Sequence, residues 1–424
     1  RAPAGAAPRR AAARLAARFL LDLPRGDGEQ GMRIGVIGTG VVGSLFLDRL
    51  RGVKGLELAA FERAAEGARE EAGTGLNICP NALKALRLHH PERHAALRAA
   101  SLPWERWFVD LADGTRLLDL DLRDVAEEPG ARLRWSELYG LMRGPVAGVT
   151  AYGHALEALE EDAAGRLVPV FRRGDGGLAR RGGFDLLVAG DGRYSRLRAL
   201  AAGAPVVEQI GISMTRLLVP DASGCPFDDY GQWFNGNNRL LAYRLPGGAA
   251  YIAGAFPVEP GRDVPPEHRT AEHARAMYLP AGKQPCPAVA WMVAQTARLI
   301  GQLHWARLQV TPLLRDALDR RVLFLGDAAH AMVPTLGQGA TQAIEDGVLA
   351  AAVFAAGGGV REVAALRDAR VRFIREFSLE ATDTMIPGSD TAALTRRKGE
   401  PPFLEKLRRA YTDVPEVVRL PLAA

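Results

Sequence analysis

The residues best suited to chemistry lie in two stretches far apart in the chain. In "RVLFLGDAAHAMVPTLGQGATQAIEDG" (321–347) an apolar strand ends at Gly326-Asp327, a Pro/Gly-rich loop follows, and a helix opens around Gly337, Gln338, Gly339 and Ala340. A carboxylate at a strand end accepts hydrogen bonds from hydroxyls. Backbone amides at a helix start stabilise negative charge, and glycine there lets a ligand come close to the backbone. The combination suits a ligand with hydroxyls to bond and a charge to stabilise.

The second stretch is "MRIGVIGTGVVGSLFLDRLRGVKGLELAAFER" (32–63), read as strand, glycine turn, helix, strand. Gly38 allows the tight turn, Gly40 lets the backbone approach a pyrophosphate, and Gly43 allows close helix–strand contact. The amides around Val41 and Val42 then face the phosphates. Glu62, with Arg63 beside it, ends the next strand about 20 residues on, where a ribose-binding acid belongs. A lone GxGxxG is weak, because glycines often only serve turns. The flanking strand and helix and the acid make the nucleotide reading the stronger one. The acid favours an unphosphorylated ribose, so NAD or FAD over NADP.

These residues need a scaffold, and the sequence predicts an α/β one: a Rossmann-like nucleotide-binding domain interleaved with a mainly antiparallel β-sheet substrate domain. The first is assigned residues 32–103, 131–203 and 306–385, the second a hairpin at 104–130 and the span 204–305. In the first, "EAGTGLNICPNALKAL" places Gly75 in a loop and Pro80 at a helix entrance. "SELYGLMR" reads as a short helix capped by Ser136. The strand Phe184 to Ala189 runs into Gly190-Asp191-Gly192, and Val360 to Met385 reads as a long amphipathic helix. The hairpin turns at Asp113-Gly114, and helical periodicity is scarce from Ala204 to Trp305. Residues 386–424 read as an irregular, Pro-interrupted tail. Residues 1–31, Ala/Arg-rich, read as an extension ahead of a natural start at Met32.

Composition narrows the classes. No apolar run approaches the ~20 residues that span a bilayer. Three separated cysteines (Cys79, Cys225, Cys286), without CxxC spacing, argue against a disulfide framework and for a reducing cytoplasm. The net charge is +5, but residues 1–31 hold a surplus of three, which leaves a mixed surface and little case for nucleic acid. No metal site is expected: His268 and His273 in "EHRTAEH" follow two prolines in a polar stretch, read as a solvated loop or helix start. GxSxG and HExxH are absent, and the oligomeric state is left open.

With a dinucleotide fold at the N-terminal end, the Gly326-Asp327 stretch makes sense as a flavin site. FAD has a ribityl chain for Asp327 to bond and a ring that becomes anionic on reduction, facing the amides of Gly337, Gln338, Gly339 and Ala340. NAD lacks the ribityl chain. The ordered set resembles the class A FAD-dependent monooxygenases, the para-hydroxybenzoate and salicylate hydroxylase family. "GTGVVG" with Glu62 is similar to its ADP-binding motif, "DLLVAGDGRYSRLR" to its Asp-Gly motif, the 321–347 stretch to its Gly-Asp motif, and "EAGTGLNICPNALKAL" to its loop beside the flavin. The match runs from Met32 to about Phe377. The family's Arg-x-Asp-Leu is replaced by "RWSEL", with Trp135 at the arginine's register and Arg134 one residue earlier as the FAD contact.

The resemblance implies a monooxygenase that consumes NADH or NADPH and dioxygen and hydroxylates a small aromatic ring through a flavin C4a-hydroperoxide. Asp191 is similar to a family residue linking flavin and pyridine-nucleotide binding, and Arg69 is a further phosphate or ribityl candidate. Pro334 and Gly337 would lie beside the ring's reactive edge, with His330 either at the flavin or packed behind the loop. Asn77, Arg216 and Tyr243 are substrate-facing candidates, against ordinary sheet polarity for the last two. The substrate class is a phenol or a hydroxylated N-heteroaromatic acid, and no general base stands out. A flavin-dependent epoxidase or reductase is the alternative on this scaffold; a halogenase would carry WxWxIP, which is absent. From another class, the alternative is an inactive FAD-fold binding module.

Overall fold

The computed structural model describes residues 18–21, 31–68 and 74–419. Its centre is a six-stranded sheet in the order 316–317, 322–324, 186–189, 32–37, 56–61, 150–151. All its pairings are parallel except that of the edge strand Asp316–Ala317 with Val322–Phe324. Strands such as Leu186–Ala189 and Val322–Phe324 are apolar throughout and buried at every residue, as expected of a parallel sheet covered on both faces. Helices Val41–Leu50 and Gln338–Ala355 pack on one face and on each other. Gly347 sets that approach, since a Cβ there would lie 3.0 Å from both Leu45 Cβ and Val42 O.

A seven-stranded sheet forms the second layer, in the order 304–310, 208–219, 250–257, 238–244, 230–235, 106–111, 116–121. It is mixed: Tyr230–Asn235 runs parallel to Arg106–Leu111, and the other neighbours are antiparallel. Alternate residues feed two cores. Trp233, Leu240, Ile252 and Leu217 face Val289 and Met292 of the helix Pro287–Arg298. Tyr230, Tyr243, Tyr251 and Met214 face the opposite way, toward Met332, Val333 and Leu336 of the 331–337 loop and toward Phe377, Phe403 and Tyr411. The second face positions the site.

Several sequence expectations are corrected. The span 204–305 contains two helices, Ala271–Tyr278 and Pro287–Arg298. Thr270 caps the first, its side chain accepting from the His273 amide, so "EHRTAEH" is a helix start; Pro287 opens the second from its first turn. The 386–424 stretch is not irregular within its described residues: helices Thr391–Arg397 and Pro401–Thr412 fill most of it. Pro401 and Pro402 begin a helix there rather than break one, and Phe403, Leu407, Ala410 and Tyr411 bury one face. The helix expected to reach Met385 ends at Glu380, and the strand expected from Phe184 starts at Leu186. Ser136 is not a cap. Arg134 takes that position, and its amide donates to Glu137 Oε2 at 3.3 Å, which starts the helix one residue early. Within 1–31, Arg18–Leu21 forms a strand parallel to Glu416–Arg419, so that stretch is not merely an extension before the first strand.

Candidate active site at the carboxyl ends of the parallel strands

Four neighbouring parallel strands end side by side, and each ends in a motif. Met32–Ile37 leads to Gly38, Leu56–Phe61 to Glu62, Leu186–Ala189 to Gly190-Asp191, and Val322–Phe324 to Gly326-Asp327. The carboxyl edge of an open parallel sheet is where such folds bind ligands. Gly38 has φ +88°, and a Cβ there would stand 2.7 Å from the Asp191 Cα. A Cβ at Gly43 would stand 2.1 Å from the Gly38 carbonyl oxygen, so only glycine lets helix Val41–Leu50 start this close to its strand.

Both flanking helices start without a side-chain cap and without an acid in the first turn, Val41–Leu50 from Gly40 and Gln338–Ala355 from a left-handed Gly337. Their first amides are therefore left to an anion. A Cβ added to Gly40 would meet nothing nearer than 3.7 Å, and one added to Gly339 would meet nothing within 4 Å. Val41 and Val42 bury their side chains, so only their backbone serves a ligand. Gln338 is likewise buried, its side chain bonded to Asn81 and Gln342.

Glu62 is buried and already engaged. Oε2 accepts from the Thr39 amide at 2.9 Å, Oε1 from the Ala64 amide at 3.0 Å, and Arg143 Nη2 lies 3.2 Å from Oε2. The Arg143 guanidinium also sits 4.0 Å from the centre of the Tyr139 ring. The sequence reading missed Arg143, which holds the Glu62 carboxylate and the Thr39 carbonyl. Arg63, by contrast, is exposed. Arg69 lies outside the described residues.

Two buried polar atoms, Asp191 Oδ1 at this edge and Arg134 Nε on the strand paired with Gly75, have no hydrogen-bond partner among the described residues. Burial pushes the Asp191 carboxyl upward against the hydrogen bonds of Ser195 and the Leu197 amide. Orphaned polar groups carry a desolvation cost that a ligand offering polar atoms would offset. The open helix starts, the glycine cradle and these two orphans fit an FAD. Asp327 has a side chain 37 % exposed, with Arg193 Nε 3.9 Å away, and so keeps acceptor capacity for a ribityl hydroxyl.

The loop between Asp327 and the helix is pinned on all sides. Arg198 donates to the carbonyls of Ala328 (2.9 Å) and Pro312 (2.8 Å), joining the Asp-Gly motif to the Gly-Asp motif. Pro334 O accepts from the Gly337 amide at 2.9 Å, closing a turn, and a Cβ on Gly337 would lie 2.7 Å from Asn77 Nδ2. Asn77 therefore stands against the Pro334–Gly337 turn. Gly75 packs on the tyrosine wall, where a Cβ would lie 2.5 Å from Tyr251 Cβ. Tyr243 is buried, with ring centroids 5.8 Å from Tyr230 and 5.2 Å from Tyr251. Burial drives the Tyr243 phenol well above its ordinary range and Tyr230 up to about 12, so both remain neutral donors. Arg216 lies on the adjacent strand opposite Ala253, half-buried.

Behind the helix sits a charge cluster the sequence reading did not find. Asp346, fully buried, accepts from the Gly326 amide (2.9 Å), Arg315 Nη1 (3.0 Å) and Arg367 Nε (2.8 Å), and shares a 2.7 Å bond with His330 Nε2. His330 thus packs behind the loop. Glu345 accepts from Asn81 Nδ2 at 2.5 Å and pairs with Arg367 (2.5 Å) and Arg370 (2.7 Å). Burial raises its pKa, but the Arg370 and Arg367 charges outweigh that and bring it down to about 2. The available signal was two adjacent acids inside "ATQAIEDGVLAAAVF", an otherwise apolar helix where unpaired charges do not belong. No group of three or more metal-ligating side chains occurs among the described residues, and no described helix is long and apolar enough to cross a membrane.

Comparison with known proteins agrees with this geometry. The FAD binding domain family matches residues 303–362, which include the Gly-Asp stretch. The chain is 28% identical over 334 residues to 6-hydroxynicotinate 3-monooxygenase of Pseudomonas fluorescens, covering 76% of this chain and 82% of the relative. It is 29% identical over 376 residues to 3-amino-4-hydroxybenzoate 2-monooxygenase PtmB3 of Streptomyces platensis, covering 82% and 87%. Among solved structures it is similar to Klebsiella pneumoniae HpxO complexed with FAD and uric acid (TM-score 0.71, 24% identity, 89% and 93% covered). It is also similar to 2,6-dihydroxypyridine-3-hydroxylase of Arthrobacter nicotinovorans (TM-score 0.66, 18% identity, 85% and 96% covered). With motifs, geometry and relatives in agreement, the chain is an FAD-dependent monooxygenase, similar to enzymes that act on small aromatic and heteroaromatic rings.

Proposed function

We propose that this monooxygenase uses NADH or NADPH and dioxygen to hydroxylate a small phenolic or N-heteroaromatic substrate. The observation that carries the reading is the meeting of the Pro334–Gly337 turn and its uncapped helix with the tyrosine-bearing sheet face. The relatives named for 6-hydroxynicotinate and 3-amino-4-hydroxybenzoate support the substrate class. When bound, FAD takes two electrons from the pyridine nucleotide and activates dioxygen, one atom of which enters the ring while the other leaves as water.

The chain's own residues bind and position. Gly38, Gly40 and Gly43 with the amides of Val41 and Val42 hold the pyrophosphate, Glu62 the ribose, Asp327 the ribityl chain, and Arg134 and Asp191 polar atoms between them. Amides of Gln338, Gly339 and Ala340 stabilise charge on the reduced ring. Pro334, Asn77, Arg216 and Tyr243 face the substrate, and the apolar wall of Met214, Met332 and Leu336 excludes water. Tyr230 and Tyr243 stay protonated, so substrate deprotonation falls to a bound water or to a pre-ionised substrate. We assign residues 32–103, 131–203 and 306–385 to the FAD-binding domain and 104–130 with 204–305 to the substrate domain, in a cytoplasmic enzyme.

The test is to incubate the FAD-loaded protein with NADH or NADPH, labelled dioxygen and a panel of hydroxypyridine and hydroxybenzoate compounds. At least one compound is expected to accelerate NAD(P)H oxidation and gain one labelled oxygen. Turnover without oxygen in the product would move the assignment to a reductase. A protein that retains no flavin would refute it altogether.

A further inference from the structure

We propose that Cys79 and Thr341 are positioning residues that aim the backbone amide of Gln338, through the Gly337 carbonyl on which both converge, at the charge that develops on the reduced flavin ring. The proposal deepens the monooxygenase reading above and rests on it. Cys79 is wholly buried and stands at the N-cap of helix Pro80–His89. Serine, threonine, aspartate or asparagine at such a place turns back and takes an amide of its own helix. The Cys79 side chain makes no such bond. Its thiol turns instead to the start of helix Gln338–Ala355, 3.3 Å from the Leu336 carbonyl oxygen and 3.5 Å from that of Gly337. The Thr341 hydroxyl donates to the same Gly337 carbonyl at 3.0 Å and accepts from the Cys79 amide at 3.1 Å.

The proton positions follow from the chemistry of the groups. An amide N–H only donates, so the Thr341 oxygen is its acceptor and the hydroxyl proton is left for Gly337. Burial, against the hydrogen bond with Thr341, pushes the Cys79 thiol up to about 12, so it keeps the proton it donates. Two donors, one at each helix start, thus converge on one carbonyl oxygen. A trans peptide is planar, and its C=O and N–H point in opposite directions. Fixing the Gly337 oxygen toward Cys79 and Thr341 therefore turns the Gln338 N–H away from them. It faces the uncapped mouth of the helix, where a Cβ on Gly339 would meet nothing within 4 Å. Gly337 itself is left-handed, with φ +67° and ψ +18°, and a glycine leaves the following peptide free to rotate. The thiol and the hydroxyl remove that freedom. A donor already aimed costs no reorganisation when charge develops in front of it.

The experiment uses the FAD-loaded full chain and two readouts that need no aromatic substrate. One is the reduction midpoint potential of the bound flavin. The other is its affinity for sulfite, which adds to the oxidised ring and leaves it negatively charged. In Cys79→Ala and Thr341→Val the reduced flavin should lose roughly 10-fold in binding relative to the oxidised flavin, the lower end of a hydrogen bond to a charged group. For a two-electron couple that ratio lowers the potential by about 30 mV, and sulfite binding should weaken by a similar factor. Affinity for oxidised FAD, whose ring is neutral, should change much less. Cys79→Ser and Thr341→Ser keep a donor and should bring both readouts back toward the wild type. Cys286→Ala, at the N-cap of helix Pro287–Arg298, should leave them unchanged. Either of the first two variants decides alone if the other does not fold. A purely structural role would weaken oxidised and reduced flavin alike and leave the potential in place. That result, an unchanged sulfite affinity in variants that retain FAD, or loss of FAD from Cys79→Ala and Thr341→Val alike overturns the proposal and leaves the FAD assignment standing. Wild-type protein that binds no FAD overturns both.

Discussion

Asp346→Asn tests whether the buried charge cluster holds the flavin loop in place. Its Oδ2 serves the Gly326 amide, Arg315 and His330, and its Oδ1 serves Arg367. Asparagine has the same shape but one acceptor oxygen fewer. Whichever way the amide turns, its NH2 faces a donor: Arg367 on one side, or the Gly326, Arg315 and His330 group on the other. Breaking one member of a buried ionic cluster costs about 3–5 kcal/mol. Unfolding entropy of ~2.1 cal/mol/K per residue amounts to about 0.9 kcal/mol/K for a chain of this size, so the melting temperature should fall by roughly 3–6 °C. Flavin affinity should fall with it, because Gly326 precedes Asp327. The assay is thermal unfolding followed by far-UV circular dichroism and by release of flavin fluorescence. Glu380→Gln, which breaks a half-exposed pair with Lys406, serves as the control and should shift the midpoint by less than about 1 °C. An Asp346→Asn protein that melts with the wild type and keeps its flavin would show that the cluster does not position the loop.

Two further outcomes follow from the same geometry. Asp327→Ala should weaken FAD retention by roughly 10- to 150-fold, the cost of one charge-assisted hydrogen bond, while Glu259→Ala in the exposed loop after strand Ala250–Pro257 should not; dissociation constants from flavin fluorescence decide it, and equal values would reduce Asp327 to a turn residue. Glu345 has a folded pKa of about 2 against a reference of 4.5, so its contribution is fully present above pH 4.5 and is lost as pH falls toward 2. The shift corresponds to about 3 kcal/mol, and urea unfolding across that window should show a steeper loss in the wild type than in Glu345→Gln. Parallel curves would mean that the carboxylate is not held by Arg367 and Arg370 in solution.

What the sequence made legible was chemistry that a short segment carries by itself. GTGVVG and LGQGA announce their helix starts because the backbone conformation there demands glycine, and the apolar runs before them are long enough to read as strands. The acids at the strand ends follow from the same local logic. Helix starts hidden behind prolines were misread, since Pro401-Pro402 and Pro287 look like breakers until their apolar spacing downstream is counted. Long-range polar partners were not legible at all: Asn81 donates to Glu345 across 264 positions, and Arg143 to the Thr39 carbonyl across 104. Nothing local distinguishes such residues from surface polarity.

Arg239 shows the limit most clearly. In "NGNNRLLAYR" it follows a hairpin turn whose Gly236 has φ +57°, and arginine beside a turn normally faces water. It becomes a buried, unpaired cation only because the segment carrying Thr384, Thr395 and Lys398 folds over that face of the sheet. The sequence reading placed Thr384 in the preceding helix and Thr395 and Lys398 in an irregular tail. Cofactor binding in this fold is written in backbone geometry at strand ends, which local sequence encodes. Buried polar clusters are written in side chains brought together by the closing of one layer on another, and their neighbours in sequence give no hint of their neighbours in space.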